Sequence, residues 1–120
     1  DINLEVAITP KNGVENVVSH TNFKYMYWNM AQQLAHHTVN GCNVEVGDLY
    51  ASGTISGSEK DSFGSMLELT WRGTEPLKLS NGEERKFIQD HDTIIMKGYS
   101  VKDGVRVGFG EVRGKILPSI

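Results

Sequence analysis

The sequence has 120 residues, of which 38% are hydrophobic and 22% are charged, and its formal net charge is −3. This balance excludes a disordered chain, which combines few apolar residues with a high net charge, and the length fits one small domain. A slightly acidic surface has no general attraction for a nucleic-acid backbone. No apolar run approaches the roughly 20 residues that span a bilayer. We therefore expect a soluble chain that binds neither nucleic acid nor membrane.

The chain contains a single cysteine, Cys42, which excludes an internal disulfide. We expect a reducing compartment and a buried, unreactive thiol. The sequence begins at Asp1 without a methionine, and apolar residues already alternate from Ile2 onward. This pattern predicts a piece of a longer polypeptide with no targeting segment before the fold.

The first elements follow from the spacing of apolar residues and from turn chemistry. Alternation over residues 2–9 predicts a strand, and Pro10-Lys11-Asn12-Gly13 predicts a turn that returns the chain over residues 14–19. Apolar residues then recur at spacings of three and four, which predicts a helix over residues 22–38 with Thr21 or Asn22 as its N-terminal cap.

The remainder of the chain is rich in β-branched residues punctuated by glycine, which predicts strands and turns. The expected strands cover residues 48–55, 65–72, 77–79, 85–89, 93–101 and 105–117, with Lys102-Asp103-Gly104 as the last hairpin turn. The predicted fold class is α+β, rich in strands, with one long helix.

Two groups of residues contain metal-binding residue types but do not meet the other requirements of a metal site. His36 and His37 are adjacent near the predicted helix end, whereas a helical zinc pair needs a spacing of four, so we expect a structural role. Asp90-His91-Asp92 supplies too few oxygens for calcium, and we expect a solvated turn there.

The run from Gly47 to Gly57 is a candidate binding segment. A strand that ends in small residues and hydroxyls lets a ligand approach its backbone. Gly53-Thr54 offers a hydroxyl and free amides, which suit a carboxylate or carbonyl oxygen. The alternative is a strand end that is merely closely packed.

Glu68 is the candidate catalytic carboxylate. On the predicted strand it shares a face with Met66 and Thr70, opposite Leu67 and Leu69. A carboxylate in such a setting can orient a histidine in a hydrolytic relay. The alternative is a half-exposed strand carboxylate with no chemical role.

Several long blocks, spread in order over essentially the whole chain, closely resemble the fumarylacetoacetase branch of the fumarylacetoacetate hydrolase family. The longest is Ala51-Ser52-Gly53-Thr54-Ile55-Ser56-Gly57, and Gly47-Asp48 before it is shared with the wider family. The other blocks lie at residues 22–28, 32–37, 39–43, 63–69, 106–110 and 114–118. The resemblance places the chain at the C-terminal end of a much longer enzyme and implies the mixed β-roll of that domain type.

The resemblance also implies a reaction. Members of the branch hydrolyse a carbon-carbon bond of 4-fumarylacetoacetate to give fumarate and acetoacetate, the last step of tyrosine breakdown, as cytoplasmic homodimers that use Ca²⁺ or Mg²⁺. A histidine acts as base and a glutamate orients it. Glu68 matches that glutamate, and Thr54 matches the threonine that contacts substrate.

The family's base histidine, metal carboxylates and further substrate-binding side chains are expected upstream of Asp1. We therefore name no metal ligand in these 120 residues and expect the isolated chain to be inactive. One alternative is an acylpyruvate-type hydrolase of the same superfamily with a smaller substrate. The other is a noncatalytic binding or dimerisation module, the better description if no upstream chain accompanies this one.

Overall fold

The computed structural model describes residues 1–120 and contains six strands and two α-helices. In chain order they are β1 Asn3–Thr9, β2 Asn16–Asn22, α1 Met30–Thr38, α2 Met66–Leu69, β3 Leu77–Lys78, β4 Glu84–Arg85, β5 Thr93–Lys102 and β6 Val105–Lys115. Short 3-10 helices lie at Phe23–Tyr25 and Lys60–Ser62. The predicted strand-rich α+β class with one long helix is confirmed. No helix combines the length and apolar character that crossing a membrane requires.

The main sheet has four antiparallel strands in the order β2-β1-β5-β6. β1 is central and pairs with β2 on one side and with β5 on the other, where Ile8 faces Ile94. The strands β1 and β2 form a hairpin, as do β5 and β6, whose turn at Asp103 and Gly104 was predicted. The long segment between β2 and β5 leaves the sheet and returns to it, and it contains both candidate site residues.

The helix α1 begins eight residues later than its apolar periodicity predicts. Asn29 caps it, because its side chain accepts the Gln32 N–H at 2.9 Å while the Gln32 side chain accepts the Asn29 N–H at 2.9 Å. This reciprocal capping box fixes the helix start. Asn22, the predicted cap, instead caps the 3-10 helix by accepting the Lys24 N–H. The predicted start at Asn22 was therefore wrong.

Two predicted strands are absent from the structure. Residues 48–55 form an irregular loop, and the predicted strand over residues 65–72 is replaced by α2 and a turn. Trp71 and Arg72 follow α2 with φ of 47° and 58°, so the chain reverses there instead of extending. The side-chain cap of α2 at Ser65 outweighs the alternating pattern that predicted a strand.

The core is small and is centred on the paired strands β1 and β5. Ala7, Ile8 and Ile95 are each 1% exposed, and only 12 of the 120 residues are buried, so much apolar surface stays uncovered. The strand β6 is exposed along its whole length. Cys42 is exposed too, and the predicted burial of its thiol was wrong.

A buried ion pair joins β4 to the start of β5. Arg85 Nε and Nη2 donate to the two carboxylate oxygens of Asp92 at 2.9 and 3.0 Å, and the Gln89 N–H donates to the same carboxylate at 2.9 Å. Burial by itself raises the pKa of Asp92, but the Arg85 and Gln89 hydrogen bonds and the Arg85 charge outweigh it, so the pKa is lowered. Asp92 is fully buried, so the predicted solvated turn was wrong at this residue.

Candidate active site

The Ser65 side chain caps the helix α2, which contains Glu68. Its Oγ accepts the Glu68 N–H at 3.3 Å and so caps α2, and it donates to Glu68 Oε2 at 2.7 Å. A serine three residues before a glutamate is the sequence signature of a helix start. The Glu68 side chain therefore folds back over the first turn of α2, and it is not on a strand face between Met66 and Thr70.

Ser56 holds the same carboxylate from the opposite segment of chain. Its hydroxyl donates to Glu68 Oε1 at 2.8 Å and to Oε2 at 3.0 Å, and it accepts the Gly64 N–H at 3.0 Å. Two serines twelve and three residues before Glu68 thus converge on one carboxylate. We call Ser56, Ser65 and Glu68 the carboxylate cluster.

Two further contacts fix the loop that carries Ser56. The Gly57 N–H donates to the Ser62 carbonyl at 2.9 Å, and the Ser62 hydroxyl donates to the Glu59 carbonyl at 2.7 Å. The loop is tied to the main sheet because the Ser19 hydroxyl of β2 donates to the Phe63 carbonyl at 2.8 Å. The carboxylate cluster is therefore anchored to the sheet through β2.

At the far end of α2, Thr70 anchors the helix to the strand β4 region. Thr70 is fully buried, and its hydroxyl lies 2.7 Å from the Met66 carbonyl and 3.0 Å from the Lys86 carbonyl while accepting the Gly73 N–H at 3.0 Å. A buried hydroxyl with such partners is costly to displace. The short helix that presents Glu68 is thus held at both ends.

Thr54 lies two residues before Ser56, in the loop that reaches the carboxylate cluster. Its side chain is exposed, and Gly53 before it has a φ of +80° with no atom near the position of a Cβ. None of the Glu68 hydrogen bonds involves Thr54. The structure therefore brings the Thr54 segment to the Glu68 helix through Ser56 and leaves the Thr54 side chain free to meet a ligand.

The family assignment comes from comparison of the whole chain. A sequence profile described as fumarylacetoacetate (FAA) hydrolase C-terminal matches residues 1–117. The chain belongs to the fumarylacetoacetate hydrolase family. This membership confirms the resemblance seen in the sequence, whereas the roles of Glu68 and Thr54 stay predictions.

Within the fumarylacetoacetate hydrolase family, the chain is similar to fumarylacetoacetases from distant organisms. It is 54% identical over 121 residues to human fumarylacetoacetase. This alignment covers 100% of the present chain and 29% of the human protein. It is 54% identical over 120 residues to the Caenorhabditis elegans protein and 51% identical over 120 residues to the Arabidopsis thaliana protein, with 99% of this chain and 28% of each relative covered. The chain thus spans less than a third of the length of these curated relatives.

A groove of about 850 Å³ lies between α1 and the loop that leads to Thr54. Its walls are largely apolar, and they include Ala51 and Ser52, which precede Thr54 by three and two residues in the chain. His37 of α1 packs edge to face against Tyr50 of the loop, with ring centroids 5.1 Å apart, so this pair joins the two walls of the groove. The structural role expected for the adjacent histidines stays a prediction. Partial desolvation raises the pKa of Tyr50, and Asp48 raises it further. The groove therefore lies beside the loop that carries Thr54.

The side chains of this chain do not assemble a metal site by themselves. No group of three or more His, Cys, Asp or Glu side chains converges at a point that could hold an ion. Glu68 has its carboxylate occupied by two serine hydroxyls instead of acidic neighbours.

The sequence interpretation overlooked the two serines. The signal for Ser65 was present, because Ser65-Met66-Leu67-Glu68 has the spacing of a capping box. No local pattern identifies Ser56, which reaches Glu68 only because the loop folds back. Its place in the carboxylate cluster is a property of the tertiary structure.

Proposed function

We propose that this chain is the C-terminal part of a fumarylacetoacetase, an enzyme that hydrolyses the carbon-carbon bond of 4-fumarylacetoacetate to give fumarate and acetoacetate. The identity to fumarylacetoacetases over the whole chain supports this proposal. The observation that carries it is the Glu68 carboxylate, which two serine hydroxyls hold at the start of a short anchored helix. Orienting carboxylates of hydrolytic relays need such a restrained geometry.

Glu68 orients the base of the reaction. Its carboxylate accepts an N–H of a histidine from the rest of the enzyme, so that the other ring nitrogen takes a proton from water. The water oxygen bonds to the ketone carbon, and the adjacent carbon-carbon bond then breaks. The electron pair leaves with the acetoacetate enolate, which receives a proton from the imidazolium. Glu68 stabilises that imidazolium while it exists.

Thr54 binds the substrate. Its exposed hydroxyl lies in a loop with little side-chain bulk, beside the groove, and it donates to a carbonyl or carboxylate oxygen of the substrate. A dicarbonyl acid with carboxylates at both ends has several such oxygens. Thr54 therefore fixes the substrate near the helix that presents Glu68.

The complete enzyme draws its remaining parts from outside these residues. We propose that it uses Ca²⁺ or Mg²⁺, with the ligands supplied by the rest of the polypeptide, where the base histidine also lies. An ion of this kind supplies charge stabilisation for an enolate when it is bound. We also propose a cytoplasmic homodimer that acts in tyrosine catabolism.

A chimera tests the proposal without knowledge of the rest of the polypeptide. Human fumarylacetoacetase, with its matching C-terminal segment replaced by residues 1–120, should release fumarate and acetoacetate from 4-fumarylacetoacetate, because the chains are 54% identical there. The isolated 120-residue chain should show no turnover, since it lacks the base histidine. Acetylpyruvate serves as the control substrate for the acylpyruvate-type alternative.

The outcomes separate cleanly. Turnover of 4-fumarylacetoacetate by the chimera, well above turnover of acetylpyruvate, supports the proposal. A folded chimera that prefers acetylpyruvate would favour the acylpyruvate-type reaction. A folded chimera without any activity, beside active human enzyme, would contradict the catalytic role of this chain.

A further inference from the structure

We propose that Ser56 is a positioning residue for the hydrolysis: its hydroxyl holds Glu68 in the one orientation that leaves a carboxylate oxygen open to the base histidine. The proposal rests on the proposed function, since it concerns the same carboxylate. It concerns a residue that does not touch substrate. In the reaction Ser56 acts through Glu68.

The direction of the Ser56 hydroxyl is fixed by its neighbours. A serine hydroxyl has a single proton to donate and lone pairs to accept with. Because Ser56 Oγ accepts the Gly64 N–H at 3.0 Å, its proton points to the other side, where both oxygens of Glu68 lie within 3.0 Å. A backbone amide thereby orients a hydroxyl, and the hydroxyl orients the carboxylate.

The two oxygens of Glu68 are not equivalent. Oε2 accepts the Ser65 proton at 2.7 Å, and the single Ser56 proton is shared between Oε1 at 2.8 Å and Oε2 at 3.0 Å, so Oε1 has one donor fewer. Each carboxylate oxygen has two lone pairs, so Oε1 keeps one for a further donor. Oε1 is therefore the oxygen that receives the imidazole N–H.

Ser56 and Ser65 differ in what else they support. Ser65 also caps α2, so its removal would weaken the helix together with the carboxylate. Ser56 lies in a loop fixed independently by Gly57 and Ser62. Removing the Ser56 hydroxyl therefore leaves the Ser65 cap of α2 in place and takes away one acceptor besides the Glu68 bond, that of the Gly64 N–H.

The test compares three substitutions in the chimera. Ser56→Ala should lower kcat about 10- to 100-fold, the size of loss found when a group that orients a metal-ligating side chain is removed, with KM changed less than about threefold. Ser56→Thr keeps the hydroxyl and should recover most of the lost kcat. Ser58→Ala is the matched control, because Ser58 is exposed and bonds only Glu59 Oε1, at 3.2 Å; it should leave kcat unchanged.

A double substitution distinguishes positioning from a structural role. If Ser56 acts only through the Glu68 charge, Ser56→Ala should cost less than about threefold in kcat when Glu68→Gln is already present. A loss of equal size in both backgrounds would mean that Ser56 only supports the fold. Melting temperatures of all variants show whether a loss follows from unfolding.

The outcomes also separate this inference from the proposed function. An active chimera whose Ser56→Ala variant keeps normal kcat would overturn the positioning role and leave the function intact. An inactive but folded chimera would overturn the function, and the positioning role with it. Loss in Ser56→Ala with recovery in Ser56→Thr and no loss in Ser58→Ala supports both.

Discussion

Gly64 lies so close to Ile55 that no side chain fits between them. A Cβ on Gly64 would be 2.6 Å from the Ile55 carbonyl oxygen and 2.8 Å from its nitrogen. Real Cβ atoms essentially never approach backbone atoms so closely. This contact brings the Thr54-to-Ser56 segment against the start of α2 and so assembles the carboxylate cluster.

Substitution of Gly64 should therefore damage both stability and activity of the chimera. Gly64→Ala forces the two backbones apart, and overpacking of this kind costs about 1 to 3 kcal/mol. We expect a lower melting temperature and a lower kcat, because the Ser56 hydroxyl moves away from Glu68. Gly98→Ala is the control, since a Cβ there would meet Leu4 and Phe109 at 3.6 and 3.7 Å, which are ordinary contact distances. Equal melting temperatures for the two variants would contradict the close approach.

Glu68→Gln removes the charge and keeps the shape of the side chain. In the chimera, kcat should fall about 10²- to 10³-fold, less than the roughly 10⁴-fold loss seen for the orienting carboxylate of serine proteases. The melting temperature should stay nearly constant because Glu68 is exposed. Glu75→Gln is the matched control and loses only a surface ion pair with Lys60. A stable Glu68→Gln enzyme with near-normal kcat would assign Glu68 no catalytic role.

Thr54→Val tests substrate binding. The substitution keeps the shape of the side chain but removes the donor, which leaves a substrate oxygen unpaired at a cost of about 1 to 3 kcal/mol. We expect this cost mainly as a raised KM for 4-fumarylacetoacetate, while Thr54→Ser, which keeps the hydroxyl, should stay close to wild type. Steady-state kinetics of the two variants decide the matter. An unchanged KM in Thr54→Val would leave Thr54 with a structural role only.

The buried pair of Arg85 and Asp92 should make stability depend on pH. The pKa of Asp92 is lower in the folded chain than in the unfolded chain, where it is about 3.9. The ionised Asp92 therefore stabilises the fold above about pH 3.9, and this stabilisation is lost as pH falls through the folded pKa. Asp92→Asn should destabilise the chimera at pH 7 by about 3 kcal/mol, because the buried Arg85 guanidinium then keeps only one carboxylate partner, the half-exposed Glu83 at 2.7 Å. The melting temperatures of Asp92→Asn and wild type should come closer together below about pH 4, because Asp92 of the wild type then becomes protonated.

A second variant checks the origin of that loss. Replacing both partners, Arg85→Met with Asp92→Leu, removes the unpaired charge and should recover part of the lost stability at pH 7. If the melting temperatures of Asp92→Asn and wild type differed by the same amount at every pH, the single variant would be losing packing and not the Asp92 charge.

Sequence patterns identified the elements whose signals are local. The β1 and β2 hairpin and the β5 and β6 hairpin follow from alternation of apolar residues and from turn residues such as Asp103-Gly104, because neighbouring residues alone determine them. The roles of Glu68 and Thr54 came from a resemblance carried by contiguous blocks, and the family membership of the whole chain supports that resemblance. Both kinds of information are readable along the chain.

Only the tertiary structure decided how the candidate site is built. The spacing of Ser65 and Glu68 carries a local signal for the helix that replaces the predicted strand, but nothing local shows that the close approach of Gly64 to Ile55 brings in Ser56 from another segment. Likewise, the sequence around Asp92 predicts a solvated turn, whereas in the structure Asp92 is buried and Arg85 supplies its countercharge. Alternation reports which faces of an element are apolar, whereas hydrogen-bond partners distant in sequence determine where polar groups can be buried or held. Those partners exist only once the chain has folded back on itself.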